Sequence, residues 1–225
     1  MKLVSLQNVS KHYWMDKLKE QVLCNVDLDV SSGESIAIIG PSGSGKSTLL
    51  KIIGLLDNPS SGSVKIENVE CSRMTENKRT ILRREVVGFI FQSYNLLPDF
   101  TALENVLLPQ HILGIKKKVA MEKAQMLFKK LKISNKYNNY PCQLSGGEQQ
   151  RVAIARSLIN KPKMILADEP TGNLDTENTN NVAEILQNIS KEHKIATIIV
   201  THDINISKRA DKIYVLNKGK LELQS

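Results

Sequence analysis

Gly40-Pro41-Ser42-Gly43-Ser44-Gly45-Lys46-Ser47 has the spacing G-x-x-x-x-G-K-S, follows the apolar run Ile36 to Ile39 and precedes a helical pattern. Glycines allow successive backbone N–H groups to turn inward on phosphate oxygens, and the helix that follows adds the positive end of its dipole. Lys46 is spaced to neutralise the β and γ phosphates of a nucleotide and Ser47 to ligate Mg²⁺, so Gly40 to Thr48 is expected to hold the phosphates. Further on, Met164-Ile-Leu-Ala ends in Asp168-Glu169, two carboxylates at the carboxyl edge of an expected strand, where open α/β sheets bind ligands. Asp168 is expected to hold Mg²⁺ through water. Glu169 is expected to polarise an attacking water as general base, a role whose loss costs about 10²- to 10⁴-fold in rate. The chemistry such groups would be expected to do is hydrolysis of a nucleoside triphosphate.

A second anion site is legible at Leu144-Ser145-Gly146-Gly147-Glu148-Gln149-Gln150-Arg151, which opens an apolar helix. Ser145 and Glu148 have capping-box spacing. Two glycines in the first turn cost helix stability by roughly 1 kcal/mol each, more than a cap needs. Close approach of a ligand to bare backbone is the expected reason for Gly146 and Gly147.

The elements that must position these groups are β-rich at first, with strand-like runs at Leu3 to Val9, Val26 to Val30, Ser35 to Ile39 and Val64 to Ile66. After Gly40, Leu49, Leu50, Ile52, Ile53, Leu55 and Leu56 recur at helical spacing, and Pro59 is expected to close that segment. Met164 to Ala167 and Ile195 to Val200 read as buried strands, with a helix from Glu177 to Ile189 between them. Strands alternating with helices imply a parallel sheet covered on both faces. Between Ser93 and Asn160 helical stretches dominate, including Val119 to Leu131. In the same region Thr101 and Glu104 cap a short helix that Pro109 ends. The expectation is one α/β domain: residues 1–92 and 161–225 form a core with an N-terminal antiparallel β subdomain, and 93–160 an inserted helical subdomain.

At 225 residues, 41% hydrophobic, the chain has one good core and no stretch approaching 18 apolar residues, so a membrane role must come through a partner. The N-terminus, MKLVSLQNVSKHYW, lacks the apolar run of a secretion signal. The excess of 31 Lys and Arg over 23 Asp and Glu gives +8, but the charges are scattered and no nucleic acid is expected. Lys116-Lys117-Lys118 reads as a solvated turn rather than a lipid contact. Cys24, Cys71 and Cys142 form no C-x-x-C pair, which argues against a zinc site or a disulfide framework.

In this order along nearly the whole chain, these motifs resemble the nucleotide-binding subunits of ABC transporters, with their P-loop NTPase core. The resemblance makes Leu144 to Gln149 the signature motif, Asp168 and Glu169 the Walker B end, and Asn173-Leu174-Asp175 the D-loop. It makes Gln92 the Q-loop residue linking Mg²⁺ or water to the helical subdomain, and His202 the switch histidine on the γ-phosphate. Tyr13 becomes the aromatic that stacks on adenine, with adjacent Trp14 the other candidate ring. It implies ATP and Mg²⁺ as cofactors and a head-to-tail dimer, Ser145 and Gly147 of one copy reaching the γ-phosphate bound by Lys46 of the other.

The run Phe91-Gln-Ser-Tyr-Asn-Leu-Leu-Pro-Asp-Phe-Thr-Ala-Leu-Glu-Asn-Val106, with Thr171-Gly-Asn-Leu-Asp175, resembles the subfamily of lipoprotein-releasing (LolD-type), macrolide- or peptide-exporting (MacB-type) and cell-division (FtsE-type) ATPases. The lipoprotein-releasing type is the most similar. That resemblance implies integral permease partners of the LolC/LolE kind and a peripheral place on the cytoplasmic face of a bacterial inner membrane. A chromosome-maintenance ATPase would need a long coiled coil between the two anion motifs, and there are no sustained heptads.

Overall fold

A computed structural model describes residues 2–15 and 18–224. Two long strands, β1 (Lys2–Met15) and β2 (Leu18–Ser31), pair antiparallel. Val4, Leu6 and Val9 of β1 and Leu23, Val26, Leu28 and Val30 of β2 are buried, the alternation of a half-covered sheet. Strand β3 (Ser35–Ile39) leads through the glycine loop into α1 (Lys46–Ile53). Gly54 caps α1, so the helix stops before Leu55, which adopts φ 59°, and well short of the expected end at Pro59.

Short strands β4 (Ser61–Ile66) and β5 (Val69–Glu70) complete the antiparallel sheet in the order β2-β1-β4-β5. Helix α2 (Glu76–Val86) then enters β6 (Val87–Phe91). The helical stretch follows as α3 (Ala102–Ile112), α4 (Lys117–Lys130) and α5 (Gly146–Leu158). Strand β7 (Met164–Asp168), α6 (Thr176–His193), β8 (Ala196–Val200), α7 (Ile204–Ser207) and the hairpin β9 (Lys212–Asn217) and β10 (Lys220–Leu223) finish the chain.

One expectation is corrected here. Pro109 does not end α3, which runs on to Ile112. A proline inside a helix forfeits one hydrogen bond, but the residue after it is held from outside. Gln110 is buried and its side-chain amide donates to the Ile159 carbonyl at 3.2 Å, which carries the helix through.

The larger sheet has the order β10-β9-β3-β8-β7-β6, parallel from β9 to β6. Its central strands β3, β8 and β7 are buried on both faces, which explains their continuous apolar runs. In β7, Met164 and Leu166 face the core shared with β1, β2 and α1. Ile165 and Ala167 face the core shared with α3, α5 and α6. Because β3, β8, β7 and β6 are parallel and adjacent, their carboxyl ends deliver Gly40, His202, Asp168 with Glu169, and Gln92 to one edge in that order.

Among the described residues no helix is long and apolar enough to cross a membrane. The three cysteines are free.

Candidate active site

Gly45 is the N-cap of α1, with φ 102° and no side-chain cap. Only glycine takes that angle without strain, and a Cβ there would also press on the Val22 carbonyl oxygen at 2.8 Å. The first backbone bond of the helix runs from Leu49 N–H to Gly45 oxygen at 2.9 Å. Among the described residues, the N–H groups of Lys46, Ser47 and Thr48 therefore have no acceptor, the donor set that a phosphate fills. Two further features fit a polyphosphate. Ser44 is buried inside the loop with its hydroxyl oxygen unpartnered, and Lys46 Nζ lies over the loop, donating to the carbonyls of Gly40 at 2.9 Å and Pro41 at 2.8 Å.

Ser47 Oγ donates to Asp168 Oδ1 at 3.2 Å. Burial, with Glu169 next door, pushes the Asp168 carboxyl above its ordinary range despite the Ser47 bond. Two adjacent carboxylates with so little compensation suit a divalent cation. One hydroxyl and one carboxylate, with the rest of the shell from water and phosphate, is the donor set Mg²⁺ uses.

Glu169 takes φ 46°, a left-handed conformation that non-glycine residues adopt under constraint and that clusters at functional positions. Its N–H donates to the Val200 carbonyl at 2.9 Å. Its Oε1 lies 2.9 Å from His202 Nδ1, so with Glu169 ionised Nδ1 carries the proton. The Glu169 side chain is 17% exposed and the His202 ring 73%. Both line a cleft of about 260 Å³ with Thr171, Gly172 and Asp203. Gln92 is exposed in the turn after β6. Its carbonyl accepts from Asn173 Nδ2 at 3.1 Å, and its side-chain nitrogen would lie 2.8 Å from a Cβ on Gly172. Among the described residues Gln92 is bonded to neither Ser47 nor Asp168.

The second anion site is the start of α5. Ser145 Oγ accepts from Glu148 N–H at 3.3 Å and Glu148 Oε2 from Ser145 N–H at 2.9 Å, a complete capping box. That bond to the Ser145 N–H, with the Lys136 ammonium at 3.1 Å, holds the Glu148 carboxyl below its ordinary range. The box leaves the Gly146 and Gly147 N–H groups without acceptors among the described residues. Gly147 is buried and packs its α-carbon against α6, where a Cβ would overlap the side-chain amide of Asn178. Asp175 caps α6, accepting from Asn178 N–H at 2.8 Å, and that bond lowers its pKa.

Tyr13 and Trp14 lie on opposite faces of β1. Trp14 packs edge-on to His12 and is 65% exposed. Tyr13 turns towards α1, where its hydroxyl meets Asp57 at 2.8 Å and neighbours Thr48.

Three residues outside the sequence expectations complete the site. Gln150 is fully buried on α5 and donates to the Pro170 carbonyl. Arg156 donates to the carbonyls of Tyr94 and Asn95, just after Gln92. Lys11 pairs with Asp57. A signal for Gln150 exists: it stands on the face of Ala153, Ile154 and Ser157, polar among buried neighbours.

An uncapped helix start at the end of one parallel strand, with a constrained carboxylate two strands away, defines a P-loop nucleoside triphosphatase. The chain matches the ABC transporter family over residues 23–172 and belongs to that family. It is 50% identical to the lipoprotein-releasing system ATP-binding protein LolD of Rickettsia bellii over 222 residues, 99% of this chain and 98% of that one. It is 44% identical to LolD of Saccharophagus degradans over 222 residues, 99% and 97% of the two chains. The ATP-binding cassette MJ0796, solved as a dimer in a post-hydrolysis state bound to ADP and Pi, is 41% identical, with a TM-score of 0.91 over 98% of this chain and 97% of that one.

Proposed function

We propose that this chain is the ATP-hydrolysing subunit of a complex that releases lipoproteins from the inner membrane towards the outer membrane. The observation that carries the hydrolytic part is the pairing of Glu169 with His202 beside the uncapped start of α1. The lipoprotein-releasing part is supported by relatives of that name matching over nearly the full length.

ATP phosphates sit in Gly40 to Thr48, with Lys46 turned from its loop carbonyls onto the β and γ oxygens. Ser47, Asp168 and Gln92 would hold Mg²⁺, which would supply neutralisation of the phosphate charge. Glu169 accepts the proton of the attacking water while the Nδ1–H of His202 fixes its orientation, and the exposed far side of the imidazole addresses the γ-phosphate. Tyr13 stacks on adenine.

The start of α5 is a second donor site, and no hydrogen bond or ion pair joins residues 40–48 to residues 144–149 among the described residues. We assign it to the ATP of a second copy: Ser145, Gly146, Gly147 and Glu148, with Asp175, close a head-to-tail dimer over each nucleotide. The groove of about 530 Å³ lined by Arg83, Phe91, Leu108, Ile112 and Arg156 takes a short cytoplasmic helix of integral permease subunits of the LolC/LolE kind. In this reading the chain sits peripherally on the cytoplasmic face of the inner membrane.

The test is affinity capture of tagged Glu169→Gln protein from detergent-solubilised membranes in MgATP. Co-purification of integral subunits carrying bound lipoprotein is expected. Recovery of division proteins or an efflux partner instead would overturn the pathway and leave the hydrolytic chemistry standing.

A further inference from the structure

Lys11 is 8% exposed although it stands near the exposed end of β1. Its Nζ donates to Asp57 Oδ1 and to the Asn58 carbonyl, both at 2.7 Å. The other carboxylate oxygen, Oδ2, accepts the Tyr13 hydroxyl at 2.8 Å. Lys11 and Tyr13 share a face of β1, and the ammonium sits 4.8 Å from the centre of the phenol ring. Asp57 is itself tied to α1, its N–H donating to the Lys51 carbonyl at 3.2 Å. The cluster thus fixes the ring to the helix that begins in the phosphate loop.

Desolvating a lysine and an aspartate is costly, and a packed hydrophobic pair of the same volume serves stability as well or better. What an apolar pair cannot do is hold a phenol by its oxygen and cover one of its faces with a cation. Burial raises the Asp57 carboxyl, but the Lys11 ammonium, the Tyr13 hydroxyl and the Asn58 N–H outweigh it and keep the group below its ordinary range. The carboxylate is therefore ionised and available as an acceptor at neutral pH. With its hydroxyl tethered and one face covered, the ring has a single face left for a flat partner, and Tyr13 is 36% exposed.

We propose that Lys11 and Asp57 are positioning residues for the nucleotide base: together they lock the Tyr13 ring so that its open face meets the purine of a nucleotide whose phosphates lie in the α1 loop. This rests on the assignment of Tyr13 as the stacking ring. The prediction goes beyond that assignment, because it makes the hydroxyl of Tyr13, and not its ring alone, part of nucleotide affinity.

The experiment compares KM for ATP, kcat, and the inhibition constant of inorganic tripolyphosphate, which has no base, across Tyr13→Ala, Tyr13→Phe, Asp57→Asn and Lys11→Met. Tyr13→Ala is expected to raise KM for ATP by about tenfold or more, the usual weight of one base–aromatic stack. Tyr13→Phe keeps the ring and frees it; KM is expected to rise about threefold to tenfold, as for the loss of one ordering hydrogen bond. Asp57→Asn and Lys11→Met follow in the same direction, with tripolyphosphate inhibition unmoved in all four. If Tyr13→Ala leaves KM for ATP unchanged, the stacking assignment itself falls. If Tyr13→Ala weakens ATP while Tyr13→Phe and Asp57→Asn do not, the locking role is overturned and the stacking stands. An equal weakening of tripolyphosphate would mark the cluster as structural only; Tyr13→Phe, which keeps the Lys11–Asp57 pair intact, decides the question should the other variants fold poorly.

Discussion

Gln150, wholly buried on α5, donates its side-chain amide to the carbonyl of Pro170, the residue that follows Glu169. Its Oε1 has no partner. A half-satisfied amide in a core lowers stability, so packing alone does not account for it, whereas restraint of the turn that holds Glu169 at φ 46° does. Because Ser145 is the N-cap of α5, one rigid helix joins the second anion site to the turn that holds the general base of the same chain. Gln150→Leu is therefore expected to leave thermal stability level or slightly higher. At the same time kcat should fall about tenfold, the equivalent of one hydrogen bond of about 1.4 kcal/mol. Parallel melting and turnover measurements check this, and a fall in both together would point to packing.

The two anion-site helix starts, α1 and α5, predict complementation. Lys46→Ala and Ser145→Ala should each be inactive alone. Mixed, they form dimers in which one nucleotide site carries both defects and the other carries neither, so turnover should partly return. Were the start of α5 only a helix cap, Ser145→Ala would cost about 1 kcal/mol of stability and little activity. Steady-state ATPase assays of the two proteins, singly and premixed, separate these cases.

Much of this site was legible because its chemistry demands rare spacings. The loop from Gly40 to Ser47 and the pair Asp168-Glu169 follow apolar runs that are strands, and the parallel order of β3, β8 and β7 brings them together. The capping box of Ser145 and Glu148 was equally plain. What stayed hidden depends on tertiary context. Pro109 sits inside α3 because Gln110 is held by Ile159, 49 residues further along the chain and invisible to local rules. Strand β9 carries a short apolar run, Ile213 to Leu216, and is paired on both sides, by β3 and β10. Helix α2 is mostly charged, its Arg79 buried against Asn58 and Glu76. The close packing of Gly147 against Asn178 on α6 is likewise a tertiary contact with no local signal.

Acid should weaken the cluster around Lys11. The Asp57 carboxyl lies below its ordinary range in the fold. A depressed folded value means the group contributes stability above its unfolded value, and that contribution is lost as pH falls through the folded value, a window below about pH 4. Asp57→Asn removes this dependence and leaves Lys11 without its counter-charge at neutral pH. Urea midpoints of the two proteins should therefore differ most near neutrality and converge as the pH drops below about 4. A constant gap across that range would mean that Asp57 does not titrate with folding.

Arg156 binds two consecutive carbonyls, its Nη1 to Asn95 at 2.5 Å and its Nη2 to Tyr94 at 2.7 Å. Both acceptors are left-handed non-glycine residues, at φ 58° for Tyr94 and 49° for Asn95. For a bulky residue such as Tyr94 that conformation costs roughly 1–2 kcal/mol, so the guanidinium fork is what keeps the turn after Gln92 in place. Arg156 and Asn95 also line the large groove, while a Cβ on Gly146 would lie 3.0 Å from the Tyr94 hydroxyl oxygen. Lysine supplies charge without the fork and cannot serve both carbonyls in one plane. Arg156→Lys is thus expected to lose about 1.5–3 kcal/mol, the weight of one charged hydrogen bond. Turnover should fall with KM for ATP unchanged, since β3 and α1 are untouched. Equilibrium unfolding together with the KM and kcat of the variant checks both halves, and a rise in KM without loss of kcat would show that the turn acts on nucleotide binding instead.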